Sequence, residues 1–280
     1  MHMSRNDNVR RFYARLVTAY AGVSDVRVID AFATVERERF VGPGPWQVAV
    51  AGGYMSTETD DPTILYQDIV IGLYPDRGIN NGEPSLHAKC LGAALPSDGD
   101  LVIHVGAGTG YYTAMLAHLV GARGHVHAFE IESDIALRAI DNLSACANVT
   151  VYATSALEAQ LPVADVIYVN AGATHVPSAW LDSLAMGGRL IMPLTPNDRL
   201  GCMLLVRRQH RTYAARIVSP AFFIPCIGAR DDDQSRALAA ALDARSPDEV
   251  RSLHRFSEPD ETAWCLGDGW WLSTSAAGQQ

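Results

Sequence analysis

The chain has 280 residues, of which 48% are hydrophobic and 19% charged, a composition typical of a globular protein with a sizeable core. Its length predicts one large domain, or one domain with a small appendage. The 31 acidic and 22 basic residues leave a formal net charge of −9, and no run of Lys or Arg exceeds two residues, which argues against nucleic acid as the main ligand.

Five cysteines are scattered along the chain, and none belongs to a C-x-x-C pair. They are Cys90, Cys146, Cys202, Cys226 and Cys265. This usage favours reduced thiols in the cytoplasm over a disulfide framework, and it predicts no metal site. Neither a signal-peptide pattern nor a long apolar stretch is present, so we expect neither secretion nor a membrane partner.

The N-terminal part of the chain is predicted to be helical. Apolar residues recur at helical spacing over residues 4–40, and the Gly-Pro-Gly-Pro sequence at 42–45 ends this region. Residues 46–84 lack a long period and are rich in Gly, Pro, Asp and Thr, apart from a short strand predicted at 69–73. A further helix is predicted at 86–95. Because a long irregular stretch inside a compact domain is usually functional, residues 46–84 form a candidate lid or binding loop.

From residue 101 onward, apolar runs alternate with segments of helical period. The predicted strands are Leu101–Val105, Val126–Phe129, Val149–Ala153, Val163–Asn170 and Arg189–Pro193, and the predicted helices are 111–120, 133–145 and 177–186. Ser133 is expected to cap the second of these helices, and Gly187-Gly188 to end the third. Apolar strands separated by helices indicate an α/β fold, with a mostly parallel sheet that helices cover on both faces.

The last third of the chain changes character. Cys202–Arg208 and Tyr213–Val218 are predicted to form an antiparallel hairpin. Asp231-Asp232-Asp233 is expected to cap a helix that runs to about Leu242, and Trp264–Leu272 resembles one final strand.

A glycine-rich turn between the first strand and the first helix of this alternating region is the strongest functional signal. The glycines lie at 106, 108 and 110, and Glu130 follows at the end of the next strand. Such glycines let backbone N–H groups approach a ligand, and the acid can accept both ribose hydroxyls. A dinucleotide motif would need a third glycine at the position of Tyr111, so an NAD-dependent oxidoreductase is disfavoured and S-adenosylmethionine is favoured. The alternative to a cofactor-binding turn is a structural turn whose glycines only permit close packing.

Several motifs together resemble the class I S-adenosylmethionine-dependent methyltransferases and, within them, the protein-L-isoaspartate O-methyltransferase family. The resemblance covers roughly residues 10–230. The stretches that carry it are AFATVERERFVGPGPW (31–46), YQDIVIG (66–72), VGAGTGYYTAMLA (105–117), DVIYVNAGATHVPSAWLDSLAMGGRLIMPL (165–194) and, more weakly, FFIPCIGARD (222–231).

The resemblance implies a Rossmann-like, seven-stranded methyltransferase sheet that binds S-adenosyl-L-methionine. The implied cofactor residues are Gly106, Ala107, Gly108 and Gly110 around the methionine and ribose, Glu130 on the ribose hydroxyls, Ile131 on the adenine, and Asn170 and Ala171 beside the methyl-transfer face. The family's Gly-Asp-Gly after the third strand is replaced here by Thr154-Ser155-Ala156, so Ser155 and Ala156 are expected to replace the adenine contact only in part.

The loop that holds the methyl acceptor in this family departs further from the pattern. The family sequence Thr-Ile-Ser-x-Pro, anchored on Pro84, corresponds here to Asn80-Asn81-Gly82 followed by Glu83. The serine that family enzymes use at the reaction centre is therefore replaced by Gly82. These four residues remain the candidate catalytic loop, although Asn-Asn-Gly is also an ordinary turn sequence.

The chemical class of the methyl acceptor determines which side chains take part in the reaction. A carboxylate is already ionised at neutral pH and needs no base, and Asn80 and Asn81 could donate hydrogen bonds to it. A hydroxyl or amine acceptor would generally need a base, for which Glu83 and His175 are candidates; Glu83 is otherwise expected to start a helix. His175 and Ala171 are expected to contact the substrate. His87 and His104 are expected to be packing residues.

The sequence thus predicts a methyltransferase of the protein-L-isoaspartate type that acts on a carboxylate of a protein, peptide or small molecule. The alternatives are a diverged methyltransferase for another metabolite or modified peptide, and a binding module that keeps the cofactor fold without turnover. The predicted parts are N-terminal helices with the acceptor loop (1–96), a cofactor-binding core (97–229) and a C-terminal extension of a helix plus a strand (230–280).

Overall fold

The computed structural model describes residues 5–210 and 212–278, which fall into two compact units. The first unit consists of the chain up to Gly99 together with Ala107–Thr154, and the second consists of Asp100–Gly106 together with the chain from Ser155 onward. The three-part division predicted from the sequence stays a prediction.

The elements follow one another along the chain as follows. The helices are α1 (Arg5–Tyr20), α2 (Val26–Thr34), α3 (Glu38–Val41), α4 (Pro84–Ala94), α5 (Tyr111–Val120), α6 (Ser133–Asn142), α7 (Ser178–Asp182) and α8 (Asp232–Ala244). The strands are β1 (Gln47–Val50), β2 (Gly53–Ser56), β3 (Ile71–Tyr74), β4 (Ile79–Asn80), β5 (Leu101–Val105), β6 (His125–Phe129), β7 (Val149–Tyr152), β8 (Ala164–Val169), β9 (Leu184–Leu194), β10 (Gly201–Arg208), β11 (Tyr213–Ala221), β12 (Ser252–Arg255), β13 (Ala263–Gly267) and β14 (Trp270–Ser273).

The first unit contains a small sheet that the sequence did not predict. Its strands lie in the order β2-β1-β3-β4, and the β1–β2 hairpin pairs Val50 with Gly53 across a two-residue turn. The region predicted to be irregular therefore contains antiparallel strands. β3 overlaps the short strand predicted at 69–73. The other three strands were missed because each is at most four residues long and β1 and β2 are largely exposed, so they carry no alternating apolar pattern.

The parallel pair β6–β7 belongs to the first unit, and α5 and α6 follow the pattern predicted for them. Val126 pairs with Val149, and Phe129 pairs with Tyr152. The predicted cap of α6 was wrong, because Ser133 is already the first helical residue and the extended residue before it is Glu132, which makes no side-chain capping bond. The helix ends at Asn142, three residues earlier than expected.

The second unit is built on strands in the order β13-β14-β12-β11-β10-β9-β8-β5. β5 and β9 both run parallel to β8, whereas β9, β10 and β11 pair in antiparallel fashion. The α/β class, with parallel strands and an antiparallel β10–β11 hairpin, is confirmed, and β5 to β11 are the seven strands expected from the sequence. Buried apolar side chains dominate β5 and β8, as parallel strands covered on both faces require.

Gly187 and Gly188 do not end a helix. α7 stops at Asp182, and both glycines lie inside β9, where Gly187 has a φ of +79°. A Cβ on Gly188 would come within 2.8 Å of the Ala185 carbonyl oxygen. The glycines therefore serve an irregularity in the strand and a close backbone approach, which a sequence pattern cannot distinguish from a helix stop.

The C-terminal residues extend the sheet of the second unit. The side chain of Asp231 accepts the Gln234 N–H at 2.9 Å and caps α8, as predicted. The single predicted final strand was wrong, because Asp268-Gly269 forms a turn that splits it into β13 and β14, with Gly267 paired to Trp270. Among the described residues, no helix combines the length and apolar character that crossing a membrane requires.

One buried cation, Arg37, holds residues 65–69 and the loop at Asn81. The Arg37 side chain is fully buried and donates to the carbonyl oxygens of Leu65 at 2.7 Å, Gln67 at 3.2 Å and Ile69 at 2.6 Å. It also donates to Oδ1 of Asn81 at 3.1 Å. The guanidinium thus satisfies three acceptors within residues 65–69 and a fourth on Asn81, and their dipoles offset the cost of its burial. Its Nε is buried without a hydrogen-bond partner among the described residues.

We expect Arg37→Met to lower the free energy of unfolding by about 3–5 kcal/mol, because it leaves several buried acceptors without a donor. Urea denaturation measures this change. Arg39→Met is the matched control, since Arg39 is exposed and its replacement should change stability by no more than about 0.5 kcal/mol. Equal small effects of the two substitutions would contradict the anchoring role of Arg37.

Candidate active site

The glycine turn begins in the second unit and continues into the first. Gly106 has a φ of +73°, a conformation that favours glycine, and a Cβ added to it would lie 3.4 Å from the carbonyl carbon of Asn170. The Ala107 N–H donates to the Phe129 carbonyl at 3.0 Å, which ties the turn to the end of β6. A Cβ on Gly108 would meet no heavy atom within 4 Å, so the backbone at this point is open to a ligand.

Gly110 is required for a different reason. It has a φ of +100°, and a Cβ there would come within 2.7 Å of a Leu143 methyl group. Gly110 therefore serves the packing of the start of α5, whereas Gly108 leaves space in front of the turn. Gly110 thus fits the alternative in which the glycines serve packing, and Gly108 fits the alternative in which they admit a ligand.

Glu130 lies next to Gly108 within the first unit. One carboxylate oxygen accepts the Gly108 N–H at 2.7 Å, and the other accepts the Glu132 N–H at 3.1 Å. The residue is only 7% exposed, and this burial raises the pKa of its carboxyl group. A carboxylate held in this way keeps further lone pairs that can accept hydroxyl groups from a ligand.

The segment just after Glu130 is tied to the chain ahead of β4. Ile131 is 40% exposed, and Glu132 forms an ion pair with Arg77, which also pairs with Asp134 at 2.8 Å. Arg77 lies 5.0 Å over the ring of Tyr74. The structure thus brings the approach to the candidate catalytic loop close to the end of β6, a proximity that sequence reasoning did not predict.

Two asparagines fix the conformation of the candidate catalytic loop. Oδ1 of Asn80 accepts the Gly82 N–H at 2.9 Å. Oδ1 of the buried Asn81 accepts the Ile71 N–H at 3.0 Å as well as the Arg37 bond, while its Nδ2 is buried without a hydrogen-bond partner among the described residues. Both side chains therefore use their carbonyl oxygens to hold the loop.

Glu83 is the N-cap residue of α4, as the sequence suggested, but its side chain makes no capping bond. Partial burial, and then the charge of Asp68, raise the pKa of its carboxyl group. The function of Asp68 was missed from the sequence: its carboxylate accepts the Ser85 N–H at 2.8 Å at the first turn of α4. Asp68 is part of the YQDIVIG stretch that carries the resemblance, so a signal was present in the sequence without a function attached.

Within the second unit, Asn170 follows β8 and faces His104 of β5. The Asn170 N–H donates to the Val105 carbonyl at 2.8 Å, and its side-chain Nδ2 lies 2.8 Å from Nε2 of His104. His104 is fully buried, and this burial lowers its pKa to about 3, so the imidazole is neutral and its Nε2 can accept. Oδ1 of Asn170 is buried without a hydrogen-bond partner among the described residues.

The remaining candidates of the second unit lie on turns. The Ser155 hydroxyl accepts the Leu157 N–H at 3.2 Å, and Ala156 is 3% exposed. Ala171 follows Asn170 directly, and the described structure gives its side chain no polar role. His175 is half-buried, its Nδ1 has no hydrogen-bond partner among the described residues, and burial lowers its pKa.

Arg230 holds the turn that carries Ala171 and was not predicted. Its guanidinium donates to the Gly172 carbonyl at 2.8 Å and to the Thr195 carbonyl at 3.0 Å. Arg230 is part of the FFIPCIGARD stretch, so the signal for it was present in the sequence without a function attached. The arginine sets the position of the backbone after β8, where an open α/β sheet binds its ligand.

A family model and curated relatives match most of the chain. The family model described as "Protein-L-isoaspartate(D-aspartate) O-methyltransferase (PCMT)" matches residues 15–231. The protein-L-isoaspartate O-methyltransferase of Aeromonas hydrophila subsp. hydrophila is 30% identical over 212 residues, which are 73% of this chain and 91% of that protein. The corresponding protein of Ignicoccus hospitalis is 34% identical over 148 residues, 51% of this chain and 70% of its own length.

Solved structures show the same fold. A protein-L-isoaspartate O-methyltransferase superposes with a TM-score of 0.67 at 22% identity, covering 94% of this chain and 86% of its own. A structure described as a putative protein-L-isoaspartate O-methyltransferase from Plasmodium falciparum in complex with S-adenosyl-L-homocysteine superposes with a TM-score of 0.61 at 18% identity, covering 77% of this chain and 97% of its own.

The buried His104 leads to an expectation for acid stability. The unfolded chain takes up a proton on this histidine near its ordinary pKa of 6.5, whereas the folded chain does so only near 3. Between these values the unfolded state binds one more proton, so stability falls as the pH falls, by about 1.4 kcal/mol per pH unit. We expect His104→Gln to remove this contribution between pH 6 and pH 4.

Urea titrations of both proteins at several pH values provide the measurement. His210→Gln serves as the control because His210 is exposed, and its curve should follow that of the parent protein. Parallel pH curves for the parent protein and His104→Gln would show that His104 is not held neutral in the folded chain.

Proposed function

The chain belongs to the protein-L-isoaspartate(D-aspartate) O-methyltransferase family, and from this premise we propose that it methylates the carboxylate of isoaspartyl residues in proteins or peptides. It is an S-adenosyl-L-methionine-dependent methyltransferase, as this membership entails. The observation that carries the proposal is the family match over residues 15–231, which includes both the glycine turn and the loop Asn80–Glu83.

In the first unit, the cofactor would be held by the glycine turn and the end of β6. The open space at Gly108 supports a ligand that lies against the backbone from Ala107 to Gly110. The Glu130 carboxylate, fixed by two N–H groups, has lone pairs that suit the two ribose hydroxyls. Ile131 is exposed beside it and would cover the adenine.

In the second unit, the proposed cofactor residues are Gly106 and Asn170, which lie next to each other. The buried Oδ1 of Asn170 needs a donor, and the ammonium group of the methionine moiety is one. His104 would keep the Asn170 amide in the orientation that presents Oδ1. Ser155 and Ala156 would lie near the adenine, where the Ser155 hydroxyl keeps a proton to donate.

To methylate a carboxylate, this chain would mainly have to orient the acceptor towards the methyl group. When bound, S-adenosyl-L-methionine would supply an electrophilic methyl group on a sulfonium, so that an oxygen lone pair can form a bond to the methyl carbon while the C–S bond breaks and the neutral thioether S-adenosyl-L-homocysteine leaves. An isoaspartyl carboxylate is ionised at neutral pH, so no base is required. The residues around Asn80–Glu83 would align the acceptor and exclude water.

The proposal also covers the protonation of Glu83, the substrate contacts and the cellular location. Burial and the charge of Asp68 raise the pKa of Glu83, and both favour the neutral form that can sit beside an anionic acceptor. Ala171 and His175, on the turn held by Arg230, would contact the substrate. A cytoplasmic location is also proposed, because all five cysteines are free thiols.

The acceptor is tested with a pair of synthetic peptides that differ only in one residue, isoaspartate or aspartate. With methyl-labelled S-adenosyl-L-methionine, we expect a base-labile methyl ester on the isoaspartyl peptide and at least about a hundredfold less on the aspartyl peptide. Binding of S-adenosyl-L-homocysteine is measured on the same sample. Tight binding of this compound without transfer to either peptide would exclude isoaspartyl methylation.

The ribose contact is tested by Glu130→Ala. Loss of hydrogen bonds to a charged acceptor should weaken binding of S-adenosyl-L-homocysteine by about 10- to 100-fold in isothermal titration calorimetry. Glu158→Ala removes an exposed carboxylate and should leave the dissociation constant unchanged. Equal dissociation constants for the two variants would remove Glu130 from the cofactor site.

A further inference from the structure

Arg77 joins the approach to the candidate catalytic loop to the residues around the start of α6. Its Nη1 donates to Oδ2 of Asp134 at 2.8 Å, and its Nη2 donates to a carboxylate oxygen of Glu132 and lies 3.4 Å from Oδ1 of Asp134. The hydrogen bond and charge of Arg77 hold the pKa of Asp134 below its ordinary value. One guanidinium thus holds two carboxylates.

The same guanidinium lies over the tyrosine ring that ends β3. The Cζ of Arg77 is 5.0 Å from the ring centre of Tyr74, and the Cζ of Arg138 on α6 is 5.5 Å from it. Both distances fall within the range where a guanidinium is attracted to an aromatic face. Ion pairs and ring contacts therefore join residues 74–77 to residues 132–138. We call the set the Arg77 clasp; its members are Tyr74, Arg77, Glu132, Asp134 and Arg138.

One end of the clasp is continuous with the residues proposed to bind the cofactor. The Glu132 N–H donates to one carboxylate oxygen of Glu130 at 3.1 Å, and the Gly108 N–H donates to the other at 2.7 Å. Glu132 is therefore bound to Glu130 through its backbone and to Arg77 through its side chain. Because Ile131 lies between the two acids in the chain, the position of Arg77 also influences the residue proposed to cover the adenine.

The other end of the clasp continues into the candidate catalytic loop. Only Gly78 and Ile79 separate Arg77 from Asn80. The turn that carries Arg77 is closed by the Gly78 N–H, which donates to the Pro75 carbonyl at 3.0 Å. Asn80 in turn holds the loop, since its Oδ1 accepts a loop N–H at 2.9 Å. A shift of Arg77 therefore shifts the start of β4 and the loop that follows it.

The stability of the clasp depends on what binds at either end. Its ion-paired side chains are partly exposed, and exposed ion pairs contribute little free energy and are screened by salt. A ligand bound at Glu130 restrains Glu132 and so favours the formed clasp. An acceptor held by Asn80 restrains the same residues from the other side. By thermodynamic linkage, each ligand then raises the affinity for the other by the same factor.

We propose that Arg77 is a positioning residue through which the cofactor and the methyl acceptor bind cooperatively. The inference rests on the proposed function, because it assumes the cofactor at Glu130 and the acceptor at Asn80–Glu83. Arg77 itself contacts neither ligand, since both of its terminal nitrogens are bound to Glu132 and Asp134. A coupling carried by partly exposed ion pairs is small, and we expect a factor of about three to five.

The coupling factor is the ratio of two dissociation constants of S-adenosyl-L-homocysteine, measured by isothermal titration calorimetry without and with a saturating isoaspartyl peptide. At low salt we expect about three to five for the parent protein and about one for Arg77→Gln. Arg77→Lys keeps the charge without the planar fork and should keep a factor of at least about two. Because both constants come from the same variant, a loss of folded protein lowers the number of binding sites but leaves the ratio unchanged.

Kinetics and salt separate the coupling from a merely structural role. At saturating S-adenosyl-L-methionine, Arg77→Gln should raise KM for the isoaspartyl peptide about three- to fivefold and leave kcat within about twofold. In about 1 M salt, where the Debye length is about 3 Å, the coupling factor of the parent protein should fall to that of Arg77→Gln. Adding Glu132→Gln to Arg77→Gln should change the coupling factor no further, because both substitutions remove the same contact.

Arg123→Gln is the matched control. Arg123 is exposed and forms an ion pair with Asp98, and it lies in the turn before β6, at the opposite end of that strand from Glu130. The control variant should therefore keep the coupling factor of the parent protein.

The outcomes separate this inference from the proposed function. If the parent protein methylates the isoaspartyl peptide but has a coupling factor of one at low salt, or if Arg77→Gln keeps the parent factor, the inference is overturned and the proposed function stands. An equal loss in Arg77→Gln and Arg123→Gln would also overturn the inference, because the effect would then follow from net charge. If the parent protein binds S-adenosyl-L-homocysteine but transfers no methyl group to this peptide, the proposed function itself is wrong and the inference fails with it.

Discussion

The arrangement of the candidate acceptor loop depends on the buried charge of Arg37. A guanidinium taken out of water is costly unless its N–H groups find acceptors, and here the carbonyls of Leu65, Gln67 and Ile69 supply them together with Asn81. Arg37 also lies 5.9 Å from the ring centre of Tyr111, the first residue after the glycine turn. One side chain therefore relates the acceptor loop to the start of α5 within the first unit.

The buried polar groups at the strand ends are better explained by binding than by stability. Glu130 is held by the N–H groups of Gly108 and Glu132, although burial raises its pKa and so disfavours its charged form. Asn170 keeps a buried carbonyl oxygen without a partner among the described residues, which costs about 1–3 kcal/mol. Under the proposed function, a cofactor group that donates to the Asn170 oxygen would offset this cost.

The contact between Gly82 and His87 shows why a departure from a family pattern has to be interpreted together with its neighbours in space. Taken alone, glycine in place of serine indicates the loss of a functional group. In the structure, the imidazole of His87 occupies the space that a side chain at position 82 would need. The two positions are five residues apart, but a loop and a helix turn bring them together, and their side chains are complementary only as a pair.

The alternation of apolar runs and helical periods determined the α/β core by itself, including β5 at Leu101–Val105 and α5 at Tyr111–Val120, because buried parallel strands and the helices that cover them carry strong local patterns. The positions of the glycine turn after β5 and of Glu130 after β6 also followed from the sequence, because each comes directly after a predicted strand. Only the tertiary structure decided the β1–β4 sheet, the split of β13 from β14, the anchoring by Arg37 and the fit of His87 against Gly82. Each of these depends on contacts between residues that are distant in sequence or on short exposed strands, and such contacts leave no periodic signal in the chain.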